Sequence, residues 1–267
     1  MENLKLIVDE YPLNYCFMLE DVYGKGLMSE GGTKAIDEMF KNVNINGKRI
    51  LDVGSGLGGL AFHLSRKFNC KVVGLEINQK MIEEAQSRTP FNLKGKVNFK
   101  LYDDIGSLPF KDSEFDLICS KGVLVHVNNK LILFKELNRI LKNDGTFLII
   151  DWLCSDKGCW GDKIKKLCEM EGLTLCPIVK ARYLEILQEA GFNVEKVCDC
   201  SSDYADYNMA LVNCLRENQN EFVKKYNKQA WQDNIDGYRM ISESQREGEL
   251  IVMEFTSSKS PSSINLQ

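Results

Sequence analysis

From Lys48 onward the chain alternates short apolar runs with stretches whose apolar positions fall three and four apart. That is the pattern of a parallel sheet whose strands are joined by crossover helices. The strand candidates are Arg49 to Val53, Lys71 to Glu76, Val97 to Leu101, Phe115 to Ser120 and Thr146 to Asp151. Between them Gly59 to Phe68, Gln79 to Arg88 and Lys130 to Leu141 each carry one apolar face, as helices packed on a sheet require. Asn143-Asp144-Gly145 reads as a sharp turn into the last of these strands, its glycine at positive φ ending the preceding helix. Residues 1–47 read as an N-terminal helical lid, with helical stretches around Gly31-Gly32, and residues 152–245 as a mostly helical cap. The expectation is an α/β fold, doubly wound and mostly parallel. Residues 48–151 form its ligand-binding core, residues 152–256 the cap plus C-terminal strands that complete the sheet, and residues 257–267 a serine-rich flexible tail.

A chain of 267 residues with 44% apolar side chains can bury an ordinary core without staples. Its net charge of −4 offers no broad basic field, which argues against nucleic acid or an anionic membrane as partner and for a small molecule. No apolar run approaches the roughly 20 residues that span a bilayer, and Met1 to Glu10 is acidic where a signal peptide starts basic, so a cytoplasmic protein is expected. The ten cysteines are scattered, and Cys70 and Cys119 fall beside or within strand runs, as reduced buried thiols do. Cys154, Cys159, Cys168 and Cys176 include no tight pair and have no histidine nearby, so no metal is expected.

The chemistry concentrates in Ile50-Leu51-Asp52-Val53-Gly54-Ser55-Gly56-Leu57-Gly58-Gly59, an apolar strand that runs into a glycine-rich turn and then a helix. Gly54 and Gly56 let a ligand approach the backbone, and Glu76, ending the next strand, can accept hydrogen bonds from both hydroxyls of a ribose. Gly54, Gly56 and Gly59 also satisfy the dinucleotide fingerprint. Asp52 argues against a dinucleotide, because a carboxylate there opposes a pyrophosphate and suits the ammonium of S-adenosylmethionine (SAM). After the third strand, Asp103-Asp104-Ile105 offers a carboxylate to the adenine amino group and an apolar face to its ring, with plain turn residues as the competing reading. Ile77 and Met81 complete the expected cofactor contacts.

With its following helix, Leu51 to Gly59 resembles the class I SAM-dependent methyltransferases, whose fold implies a seven-stranded sheet. Tyr23-Gly24 through Leu27-Met28-Ser29-Glu30-Gly31-Gly32, Ser120-Lys121-Gly122-Val123-Leu124-Val125-His126, Asp151-Trp152 through Trp160, Ser202-Asp203-Tyr204 and Asn218 to Tyr226 are similar to the phosphoethanolamine N-methyltransferases that make phosphocholine. The resemblance implies that Met28 and Ser29 meet the SAM carboxylate end, that His126 is the catalytic histidine and that Tyr11 covers the active site. It also implies departures. The family's aspartate four residues before the histidine is replaced by Gly122, and its phosphate-gripping arginine has no counterpart in Glu171-Gly172-Leu173-Thr174-Leu175. Arg246 matches a helpful basic residue near the C-terminus only loosely.

Methyl transfer from a sulfonium needs donor and acceptor held in line and water excluded. His126, with an ordinary pKa of about 6.5, suits the removal of a proton from an amine. His63, on the first helix after the glycine turn, reads as a packing or solvent-edge residue. Tyr11 can donate a hydrogen bond to the histidine or the acceptor, and Tyr15 lies beside it in the lid. Trp152 and Tyr183 are expected either to wall a pocket for a cationic amine or to pack in the core, and Lys121 either to reach the SAM end or an acidic substrate or to stay solvated. The expected product is S-adenosylhomocysteine, and the protein is expected to be a monomer or weak homodimer. Three readings stay open: a phosphobase methyltransferase, a methyltransferase for a non-phosphorylated metabolite, and a SAM-binding protein without turnover.

Overall fold

The computed structural model describes residues 4–260. Among them one sheet contains β1 (Arg49–Val53), β2 (Lys71–Glu76), β3 (Val97–Leu101), β4 (Phe115–Lys121), β5 (Leu141–Cys154), β6 (Phe192–Asp199) and β7 (Leu250–Lys259). The order is β3-β2-β1-β4-β5-β7-β6, with β1 to β5 parallel and β7 antiparallel to both β5 and β6. This is the expected seven-stranded, mostly parallel sheet. The helices, in chain order, are α1 (Leu4–Glu10), α2 (Leu13–Tyr23), α3 (Gly32–Phe40), α4 (Gly59–Lys67), α5 (Gln79–Ser87), α6 (Lys130–Ile140), α7 (Asp162–Glu171), α8 (Lys180–Glu189), α9 (Ser201–Glu217), α10 (Gln219–Lys225) and α11 (Lys228–Arg246).

A parallel strand covered on both faces must be apolar throughout, and β1 and β2 are buried at every position after their first. One face packs Ile36 and Phe40 of α3, Leu60 and Leu64 of α4 and Ile82 of α5. The other packs Leu133, Phe134 and Leu137 of α6 and Ile186 and Leu187 of α8. Helix α5 starts where the Asn78 side chain accepts hydrogen bonds from the amides of Lys80 and Met81. A separate core ties the cap together through Ile164 and Leu167 of α7, Leu211 and Val212 of α9 and Ile235 and Tyr238 of α11. The chain leaves β1 toward β2 and β3 on one side, and β4 starts the other side. A crevice therefore opens at the carboxyl ends of β1 and β4, where sheets of this class bind ligands.

Four expectations are corrected. Asn143-Asp144-Gly145 does not separate a helix from a strand: α6 ends at Ile140, and the three residues form a bulge inside β5, between the pairs Phe115↔Leu141 and Leu117↔Thr146. Gly145 is not at positive φ but in a tight fold-back, where a Cβ would lie 2.5 Å from Leu141. Residues 152–245 are not all cap, since α8 and β6 belong to the sheet layers; β6 is an edge strand with mostly exposed positions and so shows no apolar run. Residues 257–259 belong to β7 rather than to a tail, with Ser257 buried and paired with Phe147 and Val194; residues 261–267 lie outside the described residues. Finally, Tyr183 is a core residue. It is fully buried on α8, stacks on Phe255 with centroids 4.8 Å apart and donates to Asp151 Oδ2 at 3.2 Å.

Tyr183→Phe keeps the stacked ring and deletes one donor to a buried carboxylate, so it should lower unfolding stability by about 0.5–1.5 kcal/mol, whereas Tyr183→Ala should cost about 3–5 kcal/mol. Urea titration of the two variants checks the ranking.

Candidate functional site

The turn after β1 is pinned from two sides. The amides of Gly54 and Ser55 both donate to the Leu75 carbonyl of β2, at 2.8 and 3.1 Å. Gly54 sits at φ +75°, and a Cβ there would lie 2.4 Å from Val123, so the loop after β4 can close against the turn only over a glycine. The Glu76 carboxylate accepts from the amides of Gly56 at 2.9 Å, Ile77 at 2.9 Å and Asn78 at 3.1 Å, which fixes both of its oxygens at the turn.

Above the turn is a cavity, open at its mouth. Met28, Ser29, Asp52, Gly54, Gly56, Glu76, Ile77, Met81 and Lys121 all line it, with Tyr11 and His126 at one end. Asp104 and Ile105 do not. Asp104 is exposed and accepts from the Gly106 amide, and Ile105 is packed in the core, while Tyr102, which the sequence did not single out, lines the wall.

Burial and the neighbouring Glu76 push the Asp52 carboxyl up to about 7, with Lys121 pulling the other way. Asp52 Oδ2 and Ser55 Oγ are buried without a hydrogen-bond partner. Such groups are costly to leave unmatched, and a ligand that brings donors to them recovers that cost. Lys121 donates to Ser29 Oγ at 2.9 Å and to the Glu30 carbonyl. Burial lowers its ammonium to about 8, opposed by Glu30 and Asp52.

A second cavity lies between the lid and the cap and shares Tyr11, Met28, Ser29, Gly122 and His126 with the first. Tyr11 Oη lies 3.1 Å from His126 Nε2, with the two rings edge to face. The histidine ends a short turn, Leu124–His126, held by the Val125 amide donating to Asp151 Oδ1 at 3.0 Å and by the Cys176 amide donating to the Val125 carbonyl at 2.8 Å. Burial, then the charge of Lys130, push His126 down to about 4 against a lesser pull from the Thr174 backbone; its Nδ1 is buried with no partner at hydrogen-bonding geometry. Desolvation raises the Tyr11 phenol, so it stays protonated. Tyr15 and Trp152 line the same cavity, as do Glu30 and Glu171. Tyr15 donates to Glu171 Oε2 at 2.8 Å, and Trp152 Nε1 to Glu30 Oε2 at 2.6 Å.

Sequence reasoning missed Glu30, Asp151, Glu171, Tyr23 and Tyr238. Asp151 carried a usable signal, since like Asp52 and Glu76 it is a carboxylate near the carboxyl end of an apolar run. Glu171 and Tyr238 carried none, because only the packing of the cap brings them to the cavity. His63 pairs with Asp37 at 2.7 Å, away from both cavities. Among the described residues no three His, Cys, Asp or Glu side chains group as a metal site requires, and no helix is long and apolar enough to cross a membrane.

Residues 44–191 match a family model described as a methyltransferase domain. The chain is 31% identical over 236 residues to the phosphoethanolamine N-methyltransferase of Plasmodium falciparum, covering 85% of each. To phosphoethanolamine N-methyltransferase 1 of Arabidopsis thaliana it is 26% identical, over 86% of this chain and 46% of the plant protein, so it spans about half that relative. The fold is shared with a structure of Haemonchus contortus phosphoethanolamine N-methyltransferase 2 in complex with phosphomonomethylethanolamine and S-adenosylhomocysteine, at TM-score 0.85 and 21% identity, over 94% of this chain and 58% of the other.

A raised Asp52 has a pH signature. Below pH 7 the carboxyl is protonated and a ligand ammonium loses its partner, so S-adenosylhomocysteine should bind about tenfold more weakly at pH 6 than at pH 8. The same shift means that the folded, ligand-free protein binds this proton more readily than the unfolded chain, so its stability falls as pH rises from about 4 to 7. Calorimetry across this range checks the slope, which Asp52→Asn should flatten.

Proposed function

The chain belongs to the phosphoethanolamine N-methyltransferase family of SAM-dependent methyltransferases, and from that premise we propose that it methylates the nitrogen of a small amine, with phosphoethanolamine and its methylated products as the first compounds to assay. The observation that carries this reading is the Tyr11–His126 contact, which stands where the two cavities meet.

The residues around the first cavity fit SAM. Asp52, with one oxygen unpartnered, would take the ammonium; Lys121 and Ser29 would meet the carboxylate; Glu76 would hold the ribose; Met28, Ile77, Met81 and Tyr102 would wall the remainder. When bound, SAM supplies an activated methyl group on a sulfonium. The protein's own part is to position the acceptor, to remove its proton and to keep water out. Tyr11 Oη can receive a proton from the acceptor nitrogen while passing its own to His126 Nε2. Burial keeps the imidazole neutral at pH 7, so Nε2 is free to accept that proton during the transfer, and its weak basicity favours giving the proton back through Tyr11 once the site opens. Trp152 and Tyr15 would line the acceptor's side. Ten cysteines, all free thiols, support a cytosolic setting.

His126→Ala should lower kcat by about 10²-fold and Tyr11→Phe by at least tenfold, while the affinity for S-adenosylhomocysteine changes less than threefold. S-adenosylhomocysteine formation and calorimetry read the two effects. No turnover by the wild type with any amine, despite firm SAM binding, would favour the reading without catalysis.

A further inference from the structure

Resting on the methyltransferase reading above, we infer that the acceptor cavity holds a cation site centred on Glu171, so that the preferred acceptor is an amine without phosphate whose second polar group is an ammonium or hydroxyl.

A phosphomonoester taken out of water needs cations or several donors to replace its hydration. Among the described residues no lysine or arginine lines the second cavity. Lys121 is on the cofactor side, engaged with Ser29 and the Glu30 carbonyl, and Arg246 pairs with Asp206 on the exposed side of the cap. What lines the cavity instead is a pair of carboxylates and the rings of Tyr11, Tyr15, Tyr23, Trp152 and Tyr238. The carboxylates differ. Glu30 is saturated by donors from Asn208, Trp152 and Gln245 and has Lys121 close by. Glu171 receives one hydrogen bond, from Tyr15, and its other oxygen accepts none among the described residues. The charged group nearest in effect is Asp233, another carboxylate, which with burial raises the Glu171 pKa. A carboxylate walled by aromatic rings and lacking a cation is a receptor for an organic cation, whose charge it neutralises while the rings accept its alkyl surface. A phosphate at the same place would face that carboxylate with no counter-charge.

The loop after β4 agrees. Gly122 lines both cavities at φ +68°, with room for no side chain without displacing Ser29, whose Cβ would lie 3.1 Å from an added Cβ. The position that the family fills with a carboxylate is thus without a side chain here, and the acids of this cavity are Glu30 and, from α7, Glu171.

Calorimetry on the protein saturated with S-adenosylhomocysteine, with ethanolamine, 1,4-diaminobutane and phosphoethanolamine as probes, tests the inference. The unphosphorylated amines should bind at least tenfold more tightly than phosphoethanolamine. Glu171→Gln should weaken them at least tenfold while leaving the affinity for S-adenosylhomocysteine, and hence the fold, unchanged. Equal or tighter binding of phosphoethanolamine, binding of none of the three, or a Glu171→Gln variant within twofold of wild type overturns it; if that variant does not fold, the wild-type ranking decides. Turnover separates the two claims: S-adenosylhomocysteine formed only from phosphoethanolamine sinks this inference and keeps the methyltransferase, whereas amines that bind without reacting keep the site and sink the enzyme.

Discussion

The cofactor side of this structure is arranged around a buried carboxylate with one oxygen left unpartnered. Asp52 is buried at the end of β1, where burial and the charge of Glu76 raise its cost of ionisation and Lys121 opposes them. Unpaired buried charge is among the most expensive features a fold can keep, and it persists where a ligand completes it. The glycine turn, the lid and the loop after β4 all make sense as the walls of that incomplete site. The turn removes side chains so that a ligand can come close, Met28 and Ser29 of the lid cross over it, and Lys121 ties the lid back to β4.

The acceptor side follows a different logic. Its walls come from elements far apart in sequence: α2 supplies Tyr15, β5 supplies Trp152, α7 supplies Glu171 and α11 supplies Tyr238. Such a cavity can change its chemistry without touching the cofactor turn, because the cap has its own core and the sheet does not depend on which side chains face inward above it. The Tyr11–His126 pair stands among the residues common to both halves, held by Asp151 through the Val125 amide from below and by the packing of the lid from above.

How much of this could be read from the chain depended on how local the determinants are. Strands β1, β2 and β4 were legible almost to the residue because a parallel strand buried on both faces is a nearly continuous apolar run, β3 because its apolar positions alternate, and the glycine turn with Glu76 because its spacing is fixed by adjacent strands. Edge strand β6 was not, since exposed positions leave no apolar signature, and neither was the bulge in β5, where a glycine serves close packing rather than a left-handed turn. Tyr183 was left open because an aromatic on an amphipathic helix does not declare which cavity or core it faces. For Asp104 the sequence left two readings open because a turn carboxylate and a ligand carboxylate look alike; here it accepts from the Gly106 amide of its own turn. Glu30 and Glu171 are the clearest losses, being ordinary acidic residues until the cap folds over the sheet.

The central claim is that the unpartnered Asp52 is there to receive an ammonium. It is tested most directly by comparing the binding of S-adenosylhomocysteine with that of its analogue lacking the α-amino group, at pH 8. The analogue should bind at least tenfold more weakly, and equal affinities would contradict the account.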